Sequence, residues 1–131
     1  MIEVYTDAAS KGNPGESGIG IVIKNGKDYE EYSYSIGIYS NHEAEFHAVI
    51  KAIELCILHH PEEILSFRTD SKVVVDTVEK NYTKNKSFLP LLEKIQELSE
   101  QFPLFFIKWI PEKQNQRADR LARESIHKIN K

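Results

Sequence analysis

The sequence predicts an α/β fold: a mixed five-stranded sheet, an antiparallel meander joined to parallel strands, flanked by helices. Three observations carry this. The first forty residues alternate with the period of strands, the period becomes helical from Ser40, and short apolar runs then alternate with helical stripes. Strands joined by tight turns pair antiparallel, whereas strands separated by helices pair in parallel through right-handed crossovers.

The elements follow in order. Ile2 to Asp7 is short and alternating, and residues 17–24 are rich in β-branched side chains. Gly12-Asn13-Pro14-Gly15 closes a hairpin between them. Asn25-Gly26 is the strongest short hairpin signal in the chain and leads into 29–39, an aromatic and β-branched alternation. Ser40 with Glu43 makes a capping box, and Ala48, Val49, Ala52, Ile53 and Cys56 trace an apolar stripe that Pro61 ends. Residues 64–69 read as a strand and Ser71 to Lys80 as a short helix with Val74, Val75 and Val78 inward. Lys80 to Lys86 is a basic connection. A helix from Phe88 to Gln101 carries Leu92, Ile95 and Leu98 on one stripe with Phe102, and 103–110 reads as a strongly apolar strand, with Trp109 in the core. The last helix starts near Asn115, a good cap, and runs through Ala118, Leu121, Ala122 and Ile126.

Length and composition set outer bounds. The 131 residues, 40% hydrophobic and 28% charged, suit one domain over 1–131 with an ordinary core. The single Cys56 excludes an intramolecular disulfide framework. No apolar run approaches the ~20 residues of a membrane span, and the N-terminus lacks a signal peptide's apolar segment. The expectation is a cytoplasmic, monomeric protein with no membrane partner. The net charge of −3 is unevenly spread: residues 1–70 carry 5 basic and 12 acidic side chains, residues 71–131 carry 12 and 8. Such an overall acidity alone argues weakly against a nucleic-acid partner.

Four carboxylates stand at element boundaries. Asp7 and Asp70 each follow a threonine at the end of a predicted strand, where ligands of open α/β sheets bind. If those strands are neighbours, the two carboxylates sit side by side. Glu45 and Asp119 lie in the first turns of two helices, on faces that should be packing. Each has a plain structural explanation: helix N-termini favour acids, and strand-end aspartates form turns. Brought together, like charges repel unless a cation neutralises them, and an oxygen-only set suits Mg²⁺ or Mn²⁺ rather than zinc.

With those residues in view, the blocks 6-TDAASKGNPG-15, 40-SNHEAEFHAVIKAIE-54, 69-TDS-71 and 109-WIPEKQNQRADRLAR-123 resemble the type 1 ribonuclease H (ribonuclease HI-like) family, in order and in register over nearly the whole chain. The resemblance implies a ribonuclease H-like fold and hydrolysis of the RNA strand of RNA–DNA hybrids with two divalent ions. It implies that Asp7 bridges both ions, that Glu45 and Asp70 help hold the ion on the leaving-group side, and that Asp119 holds the ion that activates water. It further implies substrate contacts from the turn containing Gly12, Asn13 and Gly15, from Asn41 in the minor groove, and from Ser71 on the DNA strand, with products ending in 5′-phosphate and 3′-hydroxyl. Recognition through 2′-hydroxyls and A-like shape makes such binding independent of sequence.

The chain departs from the family pattern in three places. The connection 110–116 holds no histidine, only Lys80, Lys84 and Lys86 occupy the place of a basic protrusion, and His42 stands where members often have a second asparagine. This is the pattern of a shorter branch, and it keeps a second reading in play: a ribonuclease H-like nucleic-acid-binding protein with weak or absent cleavage. A third, a resolvase or transposase-type nuclease, fits the short chain and the GNPG turn less well. Other residues have ordinary readings. His59-His60 is a surface cap, Tyr29, Tyr32 and Tyr34 pack along a strand, and Arg117 and Arg120 lie on a solvated helix face or contact phosphate. His42 and His47 do not share a helix face. Setting the four proposed ligands aside leaves 16 acidic against 17 basic side chains, so the chain's acidity ceases to argue against nucleic acid.

Overall fold

The structure, a computed structural model, describes residues 1–129. Five strands, β1 (Ile2–Ser10), β2 (Gly15–Asn25), β3 (Asp28–Tyr39), β4 (Leu65–Thr69) and β5 (Phe105–Trp109), form one sheet in the order β3-β2-β1-β4-β5. The pairs β1–β2 and β2–β3 are antiparallel, and β1–β4 and β4–β5 are parallel. The mixed sheet and the element order are as the sequence predicts, with the same overall layering of helices on its faces.

Helices α1 (Asn41–His59), α2 (Lys72–Lys80) and α3 (Leu89–Ser99) belong to one face. There Ile2 and Val4 of β1, Ile19, Ile21 and Ile23 of β2, and Leu65 and Phe67 of β4 meet the stripe of α1, including Cys56, in a continuous core. The capping box of Ser40 and Glu43 is formed, so two otherwise orphaned backbone donors at the start of α1 are satisfied.

Helix α4 (Gln116–Ile129) lies on the opposite face, over Val22 and Tyr5. Its close approach is possible because β2 presents no side chain at two positions beneath it: a Cβ on Gly20 would fall 2.0 Å from the carbonyl oxygen of Ala118, and one on Gly18 would fall 1.7 Å from Ser125 Oγ. Ser33 Oγ donates to the Leu121 carbonyl at 2.6 Å, tying β3 to the same helix. No helix among the described residues is long and apolar enough to cross a membrane.

Four expectations change. The run 103–110 does not form core throughout: Ile107 and Ile110 are buried, but Leu104, Phe106 and Trp109 are exposed, because β5 is the edge of the sheet and only part of it is covered. Tyr32 and Tyr34 stack on each other, whereas Tyr29 is exposed between Lys24 and Arg117. His60 is the C-cap of α1, as expected, but it is not a free surface residue: its Nε2 lies 2.6 Å from Glu30 Oε2 in a half-buried pair. Asn115 immediately precedes α4, as expected, but its side chain does not cap the helix: Nδ2 donates to the carbonyl of Thr6 at 2.8 Å.

Candidate active site

The parallel register of β1 and β4 ends at the pair Thr6–Thr69. Asp7 and Asp70 are therefore each one residue past the last paired position on adjacent strands. The repeated Thr-Asp of the sequence thus becomes a geometric pair. Beyond this point β1 does not end, as its sequence suggested; it continues to Ser10 against β2, so Asp7 is held on a paired backbone while β4 turns away into α2. Glu45, one turn into α1, completes a group whose ligand oxygens lie within 4.8 Å of one another.

Asp119 is not in that group. It stands across the same cleft, which is also lined by His42, Ser71, Lys72, Trp109 and Glu112, and its Oδ2 lies 2.7 Å from Arg123 Nη2 one turn further along α4. The four predicted carboxylates therefore divide into three in close company and a fourth on the opposing wall.

Crowding has an electrostatic cost. Asp7 is only 7% exposed, and burial followed by the charge of Asp70, with Asp119 and Glu45 adding, pushes its carboxyl up to about 8. Burial also raises Glu45, against the opposing effect of His42. Asp70 is raised by burial and then by Glu112 and Asp119, while Asn115 pulls the other way. Three acids held where their charged forms are disfavoured form a site suited to a hard cation, since a cation replaces each repulsion by an attraction. The donors are all carboxylate oxygens, as Mg²⁺ and Mn²⁺ prefer. The residues present fit divalent metal.

The predicted substrate residues are placed in two ways. Gly12 and Asn13 lie in the exposed turn between β1 and β2, half-buried Gly15 opens β2, and Asn13 Oδ1 accepts from the backbone N–H of exposed Asn41 at 2.9 Å. Turn and helix start make one ridge beside the cleft. Ser71 is different: it is buried at the cleft wall, and its Oγ accepts from Val74 N to cap α2.

Several neighbours of the carboxylates escaped the sequence reading. His42 Nδ1 lies 3.0 Å from Glu45 Oε1, a relation legible from their three-residue spacing on one helix. Trp109 donates Nε1–H to the Asp70 carbonyl at 3.1 Å, and Lys72 Nζ stands 4.9 Å from its ring centroid. Asn115 joins the loop before α4 to Thr6, the last residue of β1 paired with β4, and no local pattern shows a partner so distant in sequence.

Residues 5–125 match the family model described as "Reverse transcriptase-like". EbsB of Enterococcus faecalis is 46% identical over 130 residues, covering 98% of this chain and 96% of that one. A ribonuclease H of Trichodesmium erythraeum is 32% identical, covering 98% of this chain and 90% of that one. Among solved structures, that of LC11 ribonuclease H1 in complex with an RNA/DNA hybrid superimposes with a TM-score of 0.92 at 32% identity over the whole of both chains.

Proposed function

Because the chain belongs to the reverse transcriptase-like family and has ribonucleases H among its relatives, we propose that it is a metal-dependent endonuclease that hydrolyses the RNA strand of RNA–DNA hybrids. The observation that carries this reading is the placement of Asp7 and Asp70 one step past the paired register of two parallel strands, with Glu45 brought beside them. Asp7, Glu45 and Asp70 would hold divalent metal, two Mg²⁺ or Mn²⁺ ions in all, with Asp119 supplying the ligand from the facing wall. Such ions supply a water nucleophile of low pKa and neutralise charge on the scissile phosphate and leaving oxygen.

The chain's own residues do the positioning. His42 positions the Glu45 carboxylate, and Asn115 fixes the backbone of Thr6, next to Asp7. The ridge of Gly12, Asn13, Gly15 and Asn41 offers backbone and amide groups to a minor groove, and the hybrid's 2′-hydroxyls are the feature that distinguishes it from DNA duplex.

A labelled hybrid incubated with purified protein in Mg²⁺ and in Mn²⁺, with Asp70→Asn alongside, tests the reading. Cleavage should fall by at least ~10²-fold in the variant, the scale set by losing one group that stabilises transition-state charge. Absence of metal-dependent cleavage above the variant, with hybrid still bound, would establish the second reading, binding without efficient cleavage. That reading draws support from the histidine-free connection before α4 and from the Arg123 contact to Asp119. DNA duplex and four-way junction controls separate both from a junction nuclease.

A further inference from the structure

The acidic cleft does not end at Asp119. Glu112 and Asp119 also form one edge of a second trough of about 890 Å³, on the outward side of α4. Its other lining is Lys113, Gln116, Arg117, Arg120 and Arg123, of which Arg120 is paired with Glu31 and Glu124 and Arg123 with Asp119. Arg117 in turn lies on the wall of a smaller hollow that contains Tyr29 and Lys24. The cleft shares Glu112 and Asp119 with the trough, and the trough shares Arg117 with the hollow, so the three follow one another from the carboxylates, across the start of α4, to the exposed corner of β2 and β3.

The chemistry along this path changes from carboxylate to guanidinium to aromatic. Arg117 contacts Glu31 through Nε only, and its terminal nitrogens have no hydrogen-bond partner among the described residues. Its Cζ stands 4.4 Å from the Tyr29 ring centroid, and Lys24 Nζ stands 5.6 Å from the same centroid. Glu31 thus engages the guanidinium at Nε, and the two terminal nitrogens keep donors that can serve a phosphate. Tyr29 is 48% exposed on a paired strand, a rigid aromatic surface beside two cations. A cationic groove with an aromatic platform is how sequence-tolerant binding of single strands is built.

We propose that this path is a binding site for the single-stranded continuation of the nucleic acid engaged at the carboxylates. Lys113 and Arg117 take its phosphates, and Tyr29 stacks one of its bases. The site lies on the α4 side of the cleft, away from the Lys80–Lys86 connection. It gives this chain a grip that its short α2–α3 connection does not supply.

The inference rests on the hybrid-binding reading above, and the test keeps the two apart. Binding is measured by fluorescence anisotropy in Mg²⁺, with Asp70→Asn as the background to prevent cleavage. The ligands are a blunt RNA–DNA hybrid and the same hybrid carrying a tail of about eight nucleotides, within the range such grooves cover. RNA and DNA tails on each end form separate arms. A tail should tighten binding by about tenfold, the scale of one stacked base. Tyr29→Ala should remove most of that gain. Lys113→Gln with Arg117→Gln should remove it and make the salt dependence shallower by roughly 0.7 in log–log slope for each lost phosphate contact. Blunt hybrid should bind all the variants alike.

A blunt hybrid that binds and is cut by the unsubstituted enzyme, with no gain from any tail, overturns this inference alone. So does a gain that persists in both variants. Failure to bind either hybrid overturns it together with the functional reading.

Discussion

On one face of the sheet α1 rests on a floor of isoleucine, valine and phenylalanine; on the other α4 rests on glycine. Ala48, Ala52 and Ile53 of α1 are completely buried against β1 and β2, and the layer continues through α3. Beneath α4 the apolar contact is small, with Val22, Ala118, Leu121 and Tyr5, and the helix is located by the absence of side chains at Gly18 and Gly20 and by hydrogen bonds from Ser33 and Ser35. The difference matters because the two helices deliver opposite walls of one cleft. Glu45 is held by bulk burial, which is strong and tolerant of small shifts; Asp119 is held by close fit, which is weaker in area and sharper in position.

Two substitutions break this comparison in opposite directions. Ile53→Ala should cost about 2–5 kcal/mol of stability by leaving a cavity, yet spare the cleavage rate of the molecules that remain folded. Gly20→Ala should cost less, about 1–3 kcal/mol from overpacking, while lowering cleavage by about 10²-fold, because α4 must move by something on the order of 1 Å and Asp119 moves with it. Denaturant melts beside single-turnover cleavage, normalised to folded protein, give both numbers. Equal rate losses in the two variants would mean that the faces do not differ as described.

Asn115→Ala should have a smaller effect. It leaves the Thr6 carbonyl without its donor and should cost about 1–3 kcal/mol. Since Thr6 adjoins Asp7, metal affinity by calorimetry should weaken by about 10- to 100-fold, as when a supporting partner of a ligand is lost. Unchanged affinity with reduced stability would restrict Asn115 to joining α4 to the sheet.

The last effect is a gradient rather than a step. Asp7 titrates near 8 in the folded protein against an ordinary value of 3.8, so between those values the folded state holds a proton that the unfolded state has released. Its contribution to metal-free stability is full below the unfolded value and is lost as pH rises through about 8. Melts in chelator should therefore show stability falling from pH 5 to pH 8, by at most about 1.4 kcal/mol per unit for one proton. Asp70 and Glu45 are shifted in the same direction and reinforce the trend. Divalent metal should flatten it, because binding competes with that proton. A chelated protein that gains stability over this range would contradict the crowding of the three acids.

The same contrast explains what the amino-acid sequence disclosed. The α1 face is written in periodicity: Ala48, Val49, Ala52, Ile53 and Cys56 recur at helical spacing, and the matching Thr-Asp pairs mark the ends of strands that prove to be neighbours. Features that depend on position in the finished sheet were not legible. An apolar run such as 103–110 reads as core until β5 is known to be the edge, and Tyr29 reads as packed until the corner of β3 is seen to be bare. Asn115 looks like a helix cap because its partner, Thr6, is more than a hundred residues away. Gly18 and Gly20, two apart in a strand, did carry a signal, since glycine inside a strand marks where another backbone comes close.

Trp109 is the chain's one tryptophan, and it sits half-exposed at the mouth of the cleft rather than in the core. Its indole is bonded to the backbone of Asp70 and faced by the ammonium of Lys72. Intrinsic emission from this protein is therefore an optical signal of the carboxylate cleft. A change in its intensity or wavelength during a titration registers events at the site, and a change during unfolding registers the release of the β5 edge rather than the melting of the interior.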